Sequence, residues 1–138
     1  MPNATELKAL RERLRAAKGP DRDLDDAIEA LLWKGVAADH PHAVPVGRTG
    51  WKMQAPEYYT VSIDAAVALV ERVLPGCCIY PDLTPGDYAC GLRLPDKSRH
   101  ATAFQKGATG PLAILHALLV MLELIATAED QNRESSDV

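Results

Sequence analysis

His40 and His42 stand at i and i+2 in the run Asp39-His40-Pro41-His42. Two imidazoles so placed in a loop could share a zinc or nickel ion. A complete site needs further ligands, and none is marked nearby; Cys77, Cys78 or Cys90 would have to approach from a distance. The pair is a weak metal candidate, better read as loop histidines in water, and no metal or cofactor is expected. A nucleophilic cysteine would need a neighbouring base and a lowered thiol pKa. His100 and His116 are the bases available beyond the loop pair, but Cys77 and Cys78 lie in an apolar run, which suits inert buried thiols. No catalytic residue is assigned, and the chain is not expected to be an enzyme.

A different chemistry is offered by Arg93, Lys97, Arg99, His100 and Lys106, which make two strand-like runs basic. Such a face could bind a phosphate or a nucleotide. Arg48, in the turn Gly47-Arg48-Thr49-Gly50, could add backbone amides aimed at an anion. These six residues form the candidate ligand-binding set. Basic residues on strand edges also block edge-to-edge pairing, and no phosphate-cradling glycine loop or dinucleotide fingerprint occurs.

Helical and strand periodicity must place these groups. The first helix is expected from about Ala4 to Ala17, capped by Asn3 with Glu6 as reciprocal partner. Leu7, Leu10 and Leu14 form its apolar stripe, and Gly19-Pro20 is expected to stop it, with the glycine left-handed. A second helix follows, capped by Asp21 or Asp23, with Leu24, Ala27, Ile28, Leu31 and Leu32 on its buried face. The first helix is net basic and the second net acidic, so the two should turn back on each other. Residues 36–60, rich in proline and glycine, read as a long loop with one short strand near Val44–Met53. A third helix starts at the cap Ser62 and ends at Pro75-Gly76. Three strand-like runs follow, Cys77–Tyr80, Asp87–Leu94 and Arg99–Lys106, joined by turns rich in proline and aspartate.

The last helix is expected from Thr109, its cap, to about Ala128, with residues 129–138 as a flexible tail. Between Pro111 and Ala128 only His116, Glu123 and Thr127 are polar, and they share one stripe. A helix apolar nearly all round must be buried nearly all round. It is therefore either central to the fold or part of a homodimer interface, and the dimer is the favoured expectation, through Leu115, His116, Leu118, Leu119, Leu122 and Glu123. At 18 residues with Glu123 inside it, the segment is short for a membrane span.

The fold class expected is α+β: a sandwich of about four helices and a three- to four-stranded antiparallel sheet, one domain over residues 4–128. The 138 residues carry 47% hydrophobic and 25% charged residues, enough for a core without disulfides or a structural metal. Three cysteines are an odd number, and Cys77 and Cys78 are adjacent, which strains any bond between them; reduced thiols are expected. The formal net charge of −4 argues against a binder of polymeric nucleic acid. No basic stretch followed by an apolar run opens the sequence, so a secretory signal is not expected.

Three blocks carry a likeness to a known family. They are Gly19-Pro20-Asp21-Arg22-Asp23-Leu24-Asp25-Asp26-Ala27-Ile28, Tyr59-Thr60-Val61-Ser62-Ile63-Asp64-Ala65-Ala66-Val67-Ala68-Leu69-Val70, and Ala108-Thr109-Gly110-Pro111-Leu112-Ala113-Ile114-Leu115-His116-Ala117-Leu118. Their order and spacing resemble the phage ABA sandwich domain, found in small phage and prophage proteins. The chain departs from that pattern in having Cys77-Cys78-Ile79-Tyr80 where tryptophans are common, and Gly110 between threonine and proline. The resemblance implies an α/β sandwich, a phage or prophage origin and a bacterial cytoplasmic setting, and it implies no activity. The blocks consist largely of helix caps and stops, which specify a fold rather than a reaction. The functional expectation is a non-enzymatic accessory protein that binds a host protein or a small ligand. The alternative is a nucleotide- or anion-binding protein that sequesters a host immune signal.

Overall fold

The computed structural model describes residues 3–32, 43–46, 50–53, 58–94 and 102–136. The element order is α1 (Ala4–Ala16), α2 (Arg22–Leu32), β1 (Ala43–Val46), β2 (Gly50–Met53), α3 (Ile63–Val73), β3 (Cys78–Asp82), β4 (Ala89–Arg93), β5 (Thr102–Lys106) and α4 (Gly110–Ser136). The α+β class is as expected: four helices and a three-stranded antiparallel sheet of order β3-β4-β5. The single short strand expected near Val44–Met53 is instead the hairpin β1–β2, with Val46 opposite Gly50. Proline at position 45 hid the first arm, since proline reads as a strand breaker although an edge position tolerates it.

Local chemistry sets the helix starts. Asn3 and Glu6 form the reciprocal box at α1. Asp21 Oδ1 accepts from the Leu24 N–H, Ser62 Oγ from Ala65, and Thr109 Oγ1 from Leu112. The stop of α1 differs from expectation. Gly19 does not adopt positive φ; Ala17 turns the chain out in an extended conformation. The stop expected at Pro75-Gly76 is present, and there the glycine is left-handed, with φ of 81°. The end of α4 also differs, since it continues beyond Ala128 to Ser136. No glycine or proline interrupts residues 112–136, and helix propensity alone extends the rod past its last packed turn.

Helix α4 is the centre of the molecule. Its first ten residues, 110–119, are buried throughout, with the sheet on one side and α1 and α3 on the others. The 22 residues Gly110–Gln131 are long and apolar enough to cross a membrane by length and composition, and 67% of the apolar window is buried inside the chain's own fold. Leu115, Leu118, Leu119 and Leu122 are among the most deeply buried side chains of the core. They are covered by the chain's own elements, so α4 is the central helix of the two alternatives and these leucines are not available as an interface. The opposite charge of α1 and α2 does not make them principal partners. The main contact of α1 is with α4, because its leucine stripe needs an apolar surface more than its charges need an acidic one.

Gly107 makes the tight joint between β5 and α4. A Cβ at this position would run into the backbone of Leu112 and Ala113, at 2.7 Å from Ala113 Cα. At Gly110 a Cβ would meet Leu83 at 2.9 Å and Ile63 at 3.3 Å, so the glycine lets both side chains close over the start of α4.

Candidate functional site: a basic cleft between α1, β5 and α4

The polar stripe of α4 faces the seam where α1 and β5 meet it. Two cavities lie along that seam. The larger, about 530 Å³, is lined by Arg11, Arg15, Phe104, Gln105, Lys106 and His116. The smaller, about 260 Å³, shares Arg11 and Gln105 and adds Val120, Glu123, Leu124 and Thr127. The polar residues of α4 between Pro111 and Ala128, namely His116, Glu123 and Thr127, thus all line this seam.

Each side chain is placed by its element. Leu7, Leu10 and Leu14 dock α1 on the core, which leaves Arg11 and Arg15, four residues apart on one face, at the border of the buried stripe. Arg11 donates to Glu123 through Nε at 2.6 Å and through Nη2 at 3.3 Å. That fork raises the Arg11 pKa above its ordinary value, chiefly through the hydrogen bond. Arg11 also lines the larger cavity. His116, only 9% exposed, lies 2.9 Å by Nδ1 from the backbone oxygen of Lys106. A carbonyl only accepts, so Nδ1 carries the hydrogen of this bond.

Lys106 reaches Asp87 at 3.3 Å, but both side chains are exposed and solvent screens the pair. Among the described residues no carboxylate lines the larger cavity, which carries Arg11, Arg15 and Lys106. Such a wall attracts anions and offers several N–H donors to a phosphate or carboxylate.

Of the expected ligand-binding set, Lys106 lies in the cleft and Arg93 does not. Arg93 ends β4 between Cys78 and Thr102 in the sheet register, exposed and away from the cleft lining. Arg48, Lys97, Arg99 and His100 lie outside the described residues, as do the metal candidates His40 and His42. Among the described residues no cluster of His, Cys, Asp or Glu could hold a metal ion. Glu123 and His116, expected at an interface, are satisfied within the chain by Arg11 and the Lys106 carbonyl. Arg11, Arg15, Phe104 and Gln105 were not singled out from the sequence. Their signal is present for the arginines: Lys8, Arg11 and Arg15 follow the i, i+3, i+7 rule beside the leucine stripe.

Two of the cysteines are held away from ionisation by burial. Cys90 is buried, and desolvation pushes its pKa up to about 11. Burial also raises Cys77, whereas Cys78 is exposed. The settings of Cys77 and Cys90 suit neutral thiols.

The first two sequence blocks meet in a polar clamp. Asp25, 2% exposed, accepts the Thr60 N–H at 2.7 Å through Oδ1. Thr60 Oγ1 in turn accepts from the Asp21 N–H at 2.9 Å and lies 3.2 Å from the Asp21 carbonyl. Arg22 stacks over the Tyr58 ring at 4.8 Å. The clamp pins the start of α2 to the turn before α3, a structural task.

No family model, curated protein or solved structure matches the chain.

Proposed function

We propose that this chain is a non-enzymatic binding module whose ligand is a small phosphate-bearing anion held in the α1–β5–α4 cleft. One observation carries the reading: Arg11, Arg15 and Lys106, from two elements far apart in sequence, line a single cavity that, among the described residues, no carboxylate lines. Its volume of about 530 Å³ lies within the roughly 300–1,000 Å³ usual for small-molecule sites. The negative net charge of the whole chain favours a small ligand over a polymeric one. The likeness of the three blocks to phage ABA sandwich proteins supports, within the same proposal, a phage or prophage origin and work in the bacterial cytoplasm.

Calorimetric titration with pyrophosphate and tripolyphosphate tests the reading. Saturable binding is expected, weakening as salt is raised because the charges are partly exposed. Arg15→Glu and Lys106→Glu should each lower affinity by about tenfold or more. Both residues are exposed, so the folded state should survive the changes. Absence of binding at millimolar anion, or equal affinity in both variants, would contradict the reading.

A further inference from the structure

The cleft holds one group that a simple inorganic anion has no use for. Phe104 lines it beside Lys106 and is 59% exposed, the most exposed of the large apolar side chains in the described residues. Leaving an aromatic ring so open in water is unfavourable. Part of its surface is explained by the sheet: in register Tyr80, Gly91 and Phe104 form one row, and side chains opposite one another share a face. The small central Gly91 is buried between its larger neighbours. That shielding still leaves more than half of Phe104 to solvent, at the mouth of a basic cavity.

Resting on the anion-binding reading above, we infer that the ligand is a mononucleotide whose base stacks on Phe104 while its phosphates meet Arg11, Arg15 and Lys106. Phe104 and Lys106 are two positions apart on one face of β5, about 7 Å along the strand. The sugar that joins a base to its phosphates spans a gap of this kind. Flat rings of any base gain from an aromatic platform, and guanidinium and ammonium groups supply the donors a phosphate needs. Tyr80 is equally open at 56% but does not line the cleft, so it serves as an internal control.

The test compares adenosine triphosphate, guanosine triphosphate and tripolyphosphate on the full chain by calorimetry. Nucleotides should bind about tenfold or more tighter than tripolyphosphate. Phe104→Ala should bring them down to the tripolyphosphate affinity while leaving tripolyphosphate itself unchanged. Phe104→Trp should preserve the nucleotide advantage, and Tyr80→Ala should not alter it. Tripolyphosphate binding as tightly as the nucleotides would overturn this inference and leave the anion-binding reading standing. Equal losses for both ligands in Phe104→Ala would do the same. Failure of all three ligands to bind would overturn both.

Discussion

Asp25 and Thr60, thirty-five positions apart, are joined in the interior by a 2.7 Å hydrogen bond from the Thr60 N–H to the Asp25 carboxylate. The bond fastens two of the blocks that carry the family likeness, and it gives them a structural purpose. Asp25→Ala leaves a buried N–H without its acceptor and should cost about 2–3 kcal/mol. Asp25→Asn keeps an acceptor oxygen and should cost clearly less. Urea unfolding measures both, and an Asp25→Ala protein as stable as the parent would remove the clamp from the account.

Gly107 and Gly19 make a matched pair of tests. Gly107→Ala drives a methyl group into the backbone of α4's first turn, which cannot move as a side chain would. A loss of about 3 kcal/mol, or failure to fold, is expected. Gly19 has open space at its Cβ position and no positive φ, so Gly19→Ala should change stability by no more than about 0.5 kcal/mol. Thermal melts of the two variants decide the matter.

The Arg11–Glu123 fork ties α1 to α4 with both side chains about a fifth exposed. Solvent reaches the pair, so a double-mutant cycle should return a coupling of only about 1 kcal/mol. Arg11→Lys should recover little of it, because a lysine ammonium cannot reproduce the two-toothed geometry. A coupling near zero would show that the leucine stripe alone holds α1 in place.

The thiols should differ in reactivity. At pH 8 an aromatic disulfide reagent should modify Cys78 first, with Cys77 slower and Cys90 protected until the protein unfolds. The raised pKa of Cys90 also carries a pH dependence. In the unfolded chain this thiol ionises near its ordinary value of 9.0, and in the folded chain only near 11. Its contribution to stability is whole below pH 9 and is lost as pH rises from about 9 to about 11. Cys90→Ala should flatten that part of the alkaline unfolding curve.

Helix caps, leucine stripes and the alternation of β4 are short-range signals, and they made most elements legible in the sequence. Asn3, Ser62 and Thr109 cap their helices as their types and positions imply. The polar stripe of α4 was legible too, but its direction was not. Periodicity shows that His116 and Glu123 lie together; it does not show that they face α1 and β5 rather than a second copy. The site depends on that missing step, since Arg11 and Lys106 meet only through tertiary packing around α4. Exposure of Phe104 was hidden for a related reason: alternation assigns it a face, and only the sheet register places it beside Gly91.

The most direct test is an amide and imidazole NMR titration of the full chain with tripolyphosphate. The account predicts saturable shifts concentrated at Arg11, Arg15, residues 104–106 and the His116 ring, with Arg93 and the β1–β2 hairpin unmoved. Shifts centred on Arg93 or the hairpin, or no shift anywhere at saturating anion, would contradict it.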